Sequence, residues 1–450
     1  MRSRDDDDSD ALDRSFTCGG LRYVEPYRRR VRVRVSKRHE GAFRDVLVNQ
    51  VSKSEFAARN SDDVDAYWAT ALAARRVRCV IDALRKMPRG GEATEEMWTE
   101  MGVEHLDEFV PAGTLLEIER CVHERCVADA MPEIVFECEK TGLVVVEKPA
   151  GVPVLAGAAP GWQGYGNLAA LTSALRRRGA AKDDATGETR RTKRARATGD
   201  AGKVWAVNRI DAPVSGIWLA ATSPKLAAKA NVWMSKTSLG KTYLALVRGA
   251  QIECGVRIDS PLAKDKESSL AVVSEKDGKP CATRVVVLQR RESEDVALVA
   301  CRLESHGRYH QIRAHLSSIG HPIVFDSAYG DEDPESSYAG RAYADDAETR
   351  VVARKLAERR DAACAECDAL IALTASDDAT TKPLAAKRIH LHALRYQFSI
   401  RDVNYDLRSL RLPEFALDAL GAAVSVDDVV ARVDARVAEI EFPRDQRDGP

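Results

Sequence analysis

The sequence predicts an α+β protein with more than one structural unit, and three observations carry this. Short continuous apolar runs of buried-strand type recur at 143–146, 204–207, 217–221 and 241–247. Between and after them lie stretches whose apolar residues fall three to four apart and end on capping residues. Glycine and proline punctuate the connections. At 450 residues and 44% apolar content, the chain exceeds one ordinary domain and can bury a real core.

Residues 1–20 read as a disordered acidic tail, with four aspartates directly after Arg4. Arg32-Val33-Arg34-Val35 alternates as a strand does. Residues 64–86 read as helical and charged until Gly90-Gly91 breaks the pattern, and a turn at Pro111-Ala112-Gly113 leads into the apolar run at 115–118. The span 21–130 is expected to form an accessory region. At Ile134 the character changes, and the strand at 143–146 stops at Lys148-Pro149-Ala150-Gly151-Val152-Pro153, where two prolines stiffen an extended loop. The main domain is expected over 131–405, carrying a flexible basic insert at 176–202 and a charged insert at 331–387 with helical content between 349 and 372. Ser223-Pro224 reads as a helix N-cap followed by proline at the first helical position. Ile312, Leu316 and Ile319 mark a short helix stopped by Gly320, with Pro322 behind it. Residues 406–450 remain as a C-terminal extension.

The net charge of −1 hides an uneven distribution. Tyr27 to Arg38 holds Arg28, Arg29, Arg30, Arg32, Arg34, Lys37 and Arg38 with no acid, and 176–196 is also strongly basic. Such patches could neutralise phosphates, while the plain alternative is a solvated charged surface or a flexible insert. Ten cysteines without framework spacing, and no signal peptide, favour reduced thiols in the cytosol or nucleus. No apolar run approaches the roughly 18 residues of a membrane span, so no membrane partner is expected. The opening is too acidic for a transit peptide.

Two segments carry the chemistry: Val207 to Gly216, containing Asn208-Arg209-Ile210-Asp211, and His306 to Leu316, containing Gly307-Arg308-Tyr309-His310-Gln311-Ile312-Arg313. Each sets charges beside glycine or proline in an otherwise apolar stretch. A guanidinium a few ångströms from a carboxylate favours its charged form and can fix it bidentately, so Asp211 paired with Arg313 could be a pre-aimed nucleophile or base. A structural ion pair tying loop to helix is the competing account. His306, His310 and His315 lack the partners of a ligand pattern and read as hydrogen-bonded structural residues, and the lone Cys364-Ala365-Glu366-Cys367 supplies two of the four ligands a zinc site needs. No metal is expected.

These segments resemble the RluA-type pseudouridine synthase family, closest to its eukaryotic transfer-RNA branch. The family's His-Arg-Leu-Asp with Thr-Ser-Gly appears as Asn208-Arg209-Ile210-Asp211 with Val214-Ser215-Gly216. Its second signature appears as Gly307 to Leu316, Gly320 to Ile323 and Asp326 to Gly330. Lys148 to Val154, Lys241-Thr242-Tyr243 and Leu391-His392-Ala393 agree with further family segments, and together the likeness covers most of residues 21–400.

The resemblance implies a pseudouridine synthase catalytic domain with a mostly antiparallel mixed sheet, preceded by a partly S4-like accessory region. It implies isomerisation of uridine in RNA, with transfer RNA the expected partner, no cofactor and no obligatory protein partner. Asp211 matches the catalytic carboxylate, Arg313 its paired arginine and Tyr243 the tyrosine that stacks on the flipped base. Arg209 matches the arginine that fills the vacated space, and Lys241, Arg308, His310 and Gln311 join it as expected RNA contacts. Asn208, Ile210 and Tyr309 depart from the family's histidine, leucine and threonine, Tyr309 most of all. Two other classes remain open: a non-catalytic RNA-binding scaffold, which would tolerate loss of Asp211, and a nucleoside glycosidase, which would want a second acid near it.

Overall fold

A computed structural model describes residues 12–440, apart from 14, 19–20, 26, 52–63, 82, 84–92, 123, 125–126, 156–165, 184–201, 237–239, 305–306, 332–351, 353–354, 356–387 and 401–402. Among these, the largest assembly is a ten-stranded sheet. Its hydrogen-bonded order runs Glu133–Cys138, Leu143–Lys148, Ser215–Ala221, Leu391–Ile400, Lys241–Arg248, Val296–Leu303, Thr283–Arg291 and Arg257–Ile258. Trp205–Ala206 adds to Ser215–Ala221, and Val403–Arg408 adds to Leu391–Ile400. Every pairing is antiparallel except that of Ser215 and Gly216 with His392 and Ala393.

The continuous apolar runs sit where both faces of this sheet are covered. Side chains alternate along a strand, so a run apolar at every position needs packing on each side. In Lys241–Arg248, Tyr243, Ala245 and Val247 join one core while Leu244 and Leu246 join the other. The first face receives helix Leu168–Asp183 through Leu168, Leu171 and Ala174, helix Pro224–Lys236 through Ala227 and Ala230, and helix Gln311–Ser318 through Ile312 and Leu316. The second is covered by helices Glu414–Leu420 and Val426–Glu439, through Phe415, Val429, Val430 and Val433. Val403–Arg408 pairs with Leu391–Ile400 and precedes these two helices in the chain.

A separate four-stranded sheet, ordered Tyr27–Arg34, Leu115–Val122, Val77–Val80 and Thr99–Met101, packs on Phe43, Leu47, Trp68 and Leu72. Its outer face pairs the basic run with acids. Arg30 lies opposite Glu119 and Arg32 opposite Glu117. Buried Glu117 accepts from Arg32 at 2.6 Å and lies 2.5 Å from Arg78, while Arg28 reaches Glu119 at 3.0 Å. Within the basic run from Tyr27 to Arg38, Arg28, Arg30 and Arg32 thus meet carboxylates of the neighbouring strand, Arg30 and Arg32 directly across it and Arg28 diagonally, since Cys121 stands opposite Arg28.

Other expectations shift locally. Ser15–Cys18 is a strand paired with Leu21–Val24, so the acidic tail does not extend to residue 20. Among the described residues of 64–86, Val64–Ala73 and Ala83 are helical, and Val77–Val80 is a strand. Of 204–207 only Trp205–Ala206 pairs as strand. The beginning of the insert expected at 176–202 is helical, since Leu168–Asp183 starts on an Asn167 cap whose Oδ1 accepts from Ala170, and Arg176 pairs with Glu137. The 349–372 stretch and the Cys364/Cys367 pair fall almost wholly or wholly outside the described residues.

Candidate active site

Asp211 occupies the tight connection between Trp205–Ala206 and Ser215–Ala221. Three features hold this loop. Val214 donates its amide to the Asp211 carbonyl at 3.2 Å, and Gly151 donates to the Ala212 carbonyl at 2.8 Å, which ties the Lys148–Pro153 loop to it. The fully buried Lys148 ammonium donates to the carbonyls of Pro149, Ala212 and Val214 at 2.9, 2.9 and 2.6 Å. Burial pulls the Lys148 pKa down to about 7, and the Asp211 charge opposes that fall. Three carbonyls for three N–H donors leave no unmatched proton on this buried amine. Gly216 then leaves the loop at φ 105, where a Cβ would collide with the Ala393 backbone across the parallel pairing.

Arg313 comes from helix Gln311–Ser318, whose apolar face seats it against the sheet. Its Nε and Nη2 donate to the two oxygens of buried Asp326 at 2.6 and 2.7 Å, and its Nη1 donates to Asp211 Oδ2 at 3.2 Å. The bidentate partner is thus Asp326, and the expectation of a bidentate Asp211 pair is corrected. One guanidinium edge answers the carboxylate that is 1% exposed, leaving Nη1 to donate to the carboxylate that is 24% exposed. Burial works against the Arg313 charge, but hydrogen bonds and charge from Asp326, with Asp211 behind them, hold its pKa above the ordinary value. Its guanidinium carbon also lies 4.8 Å over the Tyr329 ring.

His310 precedes this helix in the left-handed region at φ 52. Its Nδ1 meets the Tyr329 hydroxyl at 2.8 Å and its Nε2 lies 3.5 Å from Asp211 Oδ2. Burial presses the His310 pKa down to about 4, beyond what Asp211 restores, so the imidazole is neutral near pH 7. Tyr243 sits on the same sheet face, close enough for the Asp211 charge to act on it, and its hydroxyl meets that of Tyr396 at 3.0 Å. Burial raises the Tyr243 pKa to about 12, which keeps a neutral phenol there. Asn208 donates to Tyr396 at 3.3 Å, and its Oδ1 accepts from the Leu219 amide.

Of the other residues singled out, Arg209 is exposed, and Lys241 is partly buried with its ammonium 5.8 Å from the Tyr396 ring centre. Arg308 turns its guanidinium to the Pro280 carbonyl. Gln311 is withdrawn from the surface: its Oε1 accepts from Arg308 and its Nε2 donates to Ala282 and Thr283. It closes the helix start, with both ends of its amide engaged by the protein itself. Asp326, Tyr329 and Lys148 lie in segments that carry the resemblance but were given no role there; Asp326 joins the site through Arg313, Tyr329 through His310, and Lys148 through the Ala212 and Val214 carbonyls. Among the described residues no cluster of three or more His, Cys, Asp or Glu side chains is placed to hold a metal.

Residues 142–318 match the family described as RNA pseudouridylate synthase. Ribosomal large subunit pseudouridine synthase D of Zymomonas mobilis is 34% identical over 200 residues, covering 44% of this chain and 56% of that protein. The tRNA pseudouridine synthase C of Yersinia pestis is 34% identical over 139 residues, covering 28% and 53%. The chain spans about half the length of these relatives. Among solved structures, Human RNA Pseudouridylate Synthase Domain Containing 1 aligns over 68% of this chain and 95% of its own at 19% identity and a TM-score of 0.39.

Proposed function

We propose that this protein isomerises uridine to pseudouridine in RNA, with Asp211 as the catalytic carboxylate and transfer RNA as substrate. The observation that carries the reading is the order of charges at Asp211: one proton from Arg313, whose opposite edge is locked by Asp326, leaves the other carboxylate oxygen for a ligand. The target uridine leaves its stack and lies against Tyr243, whose neutral phenol offers a flat apolar face, while exposed Arg209 fills the gap it leaves. Asp211 attacks the ribose or removes a proton from it as the N-glycosidic bond breaks. The base turns, its C5 bonds to C1′, and the C5 proton is lost while the former glycosidic nitrogen gains one, so the product is an isomer and no cofactor is consumed. A second free acid, as a glycosidase would need, is not offered by Asp326, because Arg313 engages both its oxygens.

Transfer RNA is inferred from the likeness to the eukaryotic branch, and one relative is named for that substrate while another is named for ribosomal RNA. We assign the region 21–130 as an accessory region, partly S4-like, that grips structured RNA. Asp211→Asn is expected to leave folding and RNA affinity nearly intact and to abolish pseudouridine formation, measured by chemical mapping of RNA from cells carrying each form. Equal modification by both forms would overturn the assignment.

A further inference from the structure

We propose that Tyr309 is a stacking platform for a nucleobase adjacent to the target nucleotide, with Lys264 receiving the neighbouring phosphate. The inference rests on the RNA-modifying reading above and adds a specificity element to that site. Tyr309 is 41% exposed, whereas Gln311, Ile312 and Arg313 directly after it are buried. Its ring lies on the His310 imidazole with centroids 3.7 Å apart and planes within 20°. His310 is itself fixed by Tyr329 and stands 3.5 Å from Asp211, so a single imidazole separates the tyrosine ring from the carboxylate. The Lys264 ammonium, on the hairpin of Leu262–Lys264 and Ala271–Val273, lies 5.4 Å from the Tyr309 ring centre. Asp211, Arg313 and Arg209 all act electrostatically on the Tyr309 hydroxyl, which places the ring among the charges of the cleft.

An exposed aromatic ring braced from behind, with a lysine on a flexible stem over it, is suited to single-stranded nucleic acid: the stem swings aside, the base takes the π-face and the cation takes the backbone. An enzyme that extrudes one nucleotide must also hold the strand next to it. Threonine, which stands at this position in the resembling signature, offers no such face.

The test uses the full-length protein and a fluorescein-labelled oligouridylate dodecamer, with anisotropy titrations across a range of salt. Tyr309→Leu is expected to weaken binding roughly fivefold or more while Tyr309→Phe stays within about twofold of wild type. Tyr309→Leu should keep the wild-type salt slope, and Lys264→Gln should shallow that slope by about 0.7, as loss of one phosphate contact to a single strand requires. Wild-type affinity in Tyr309→Leu, or equal loss in Tyr309→Phe, would overturn the platform. Pseudouridine mapping with the wild-type protein runs in parallel: no modification at all removes the underlying reading, whereas modification alongside unchanged binding by Tyr309→Leu removes the platform alone.

Discussion

Arg313 presents a two-toothed edge to Asp326 and a single Nη1 proton to Asp211, and this asymmetry separates the roles of two carboxylates. Asp326 keeps the guanidinium charged and oriented in a buried position, which lets Asp211 remain partly open to solvent. Asp326→Asn removes that counter-charge and is expected to lower unfolding free energy by about 3 kcal/mol, read from urea midpoints. The same variant should lose turnover more than RNA affinity, since the side chain it frees points at Asp211; unchanged stability would show that Asp326 does not hold Arg313. The Asp211 and Arg313 pair was legible because each interrupts an apolar segment beside glycine or proline. Which carboxylate takes the bidentate edge was not, because it depends on burial that only the fold determines.

Elements follow the same division between local and long-range information. Strands Leu143–Lys148, Ser215–Ala221 and Lys241–Arg248 and helix Pro224–Lys236 were readable, since apolar runs, a Ser223 cap and Pro224 act within a few residues. Their order in the sheet was not, because Leu391–Ile400 inserts between two strands that precede it by more than a hundred positions. The helix of the second layer at Val426–Glu439 carries a sequence signal of its own: Ser425 and Asp428 form a capping box, and Val429, Val430 and Val433 recur at helical spacing. Gly216 is where loop and sheet meet. Gly216→Ala imposes a strained φ and a clash with the Ala393 backbone, so a loss of about 3 kcal/mol or more is expected by urea unfolding. A melt equal to wild type would mean that the parallel pairing adjusts freely.

At the scale of the molecule, acid is the expected weakness. Burial sets the pKa of His392 at about 3 and of His390 and His310 at about 4, below the ordinary 6.5. The unfolded chain therefore takes up these protons first, so stability is complete above about pH 6.5 and declines towards pH 3–4. Each histidine contributes a slope of up to about 1.4 kcal/mol per pH unit inside that window. Glu147, raised by burial, acts in the opposite sense. Urea midpoints at pH 7.5 and pH 5 should differ clearly, and coincident midpoints would contradict the account. Salt sensitivity of RNA binding should in turn owe little to Arg28, Arg30 and Arg32, whose charges already meet Glu117 and Glu119. Arg30→Gln is expected to leave the slope of log affinity against log salt within about 0.3 of wild type, where a true phosphate contact would change it by nearly one. The placement of Leu391–Ile400 between Ser215–Ala221 and Lys241–Arg248 also bears on how the chain is made. As it leaves the ribosome, both older strands present open edges until Leu391–Ile400 emerges to join them, and over that interval chaperones rather than native pairing must guard them.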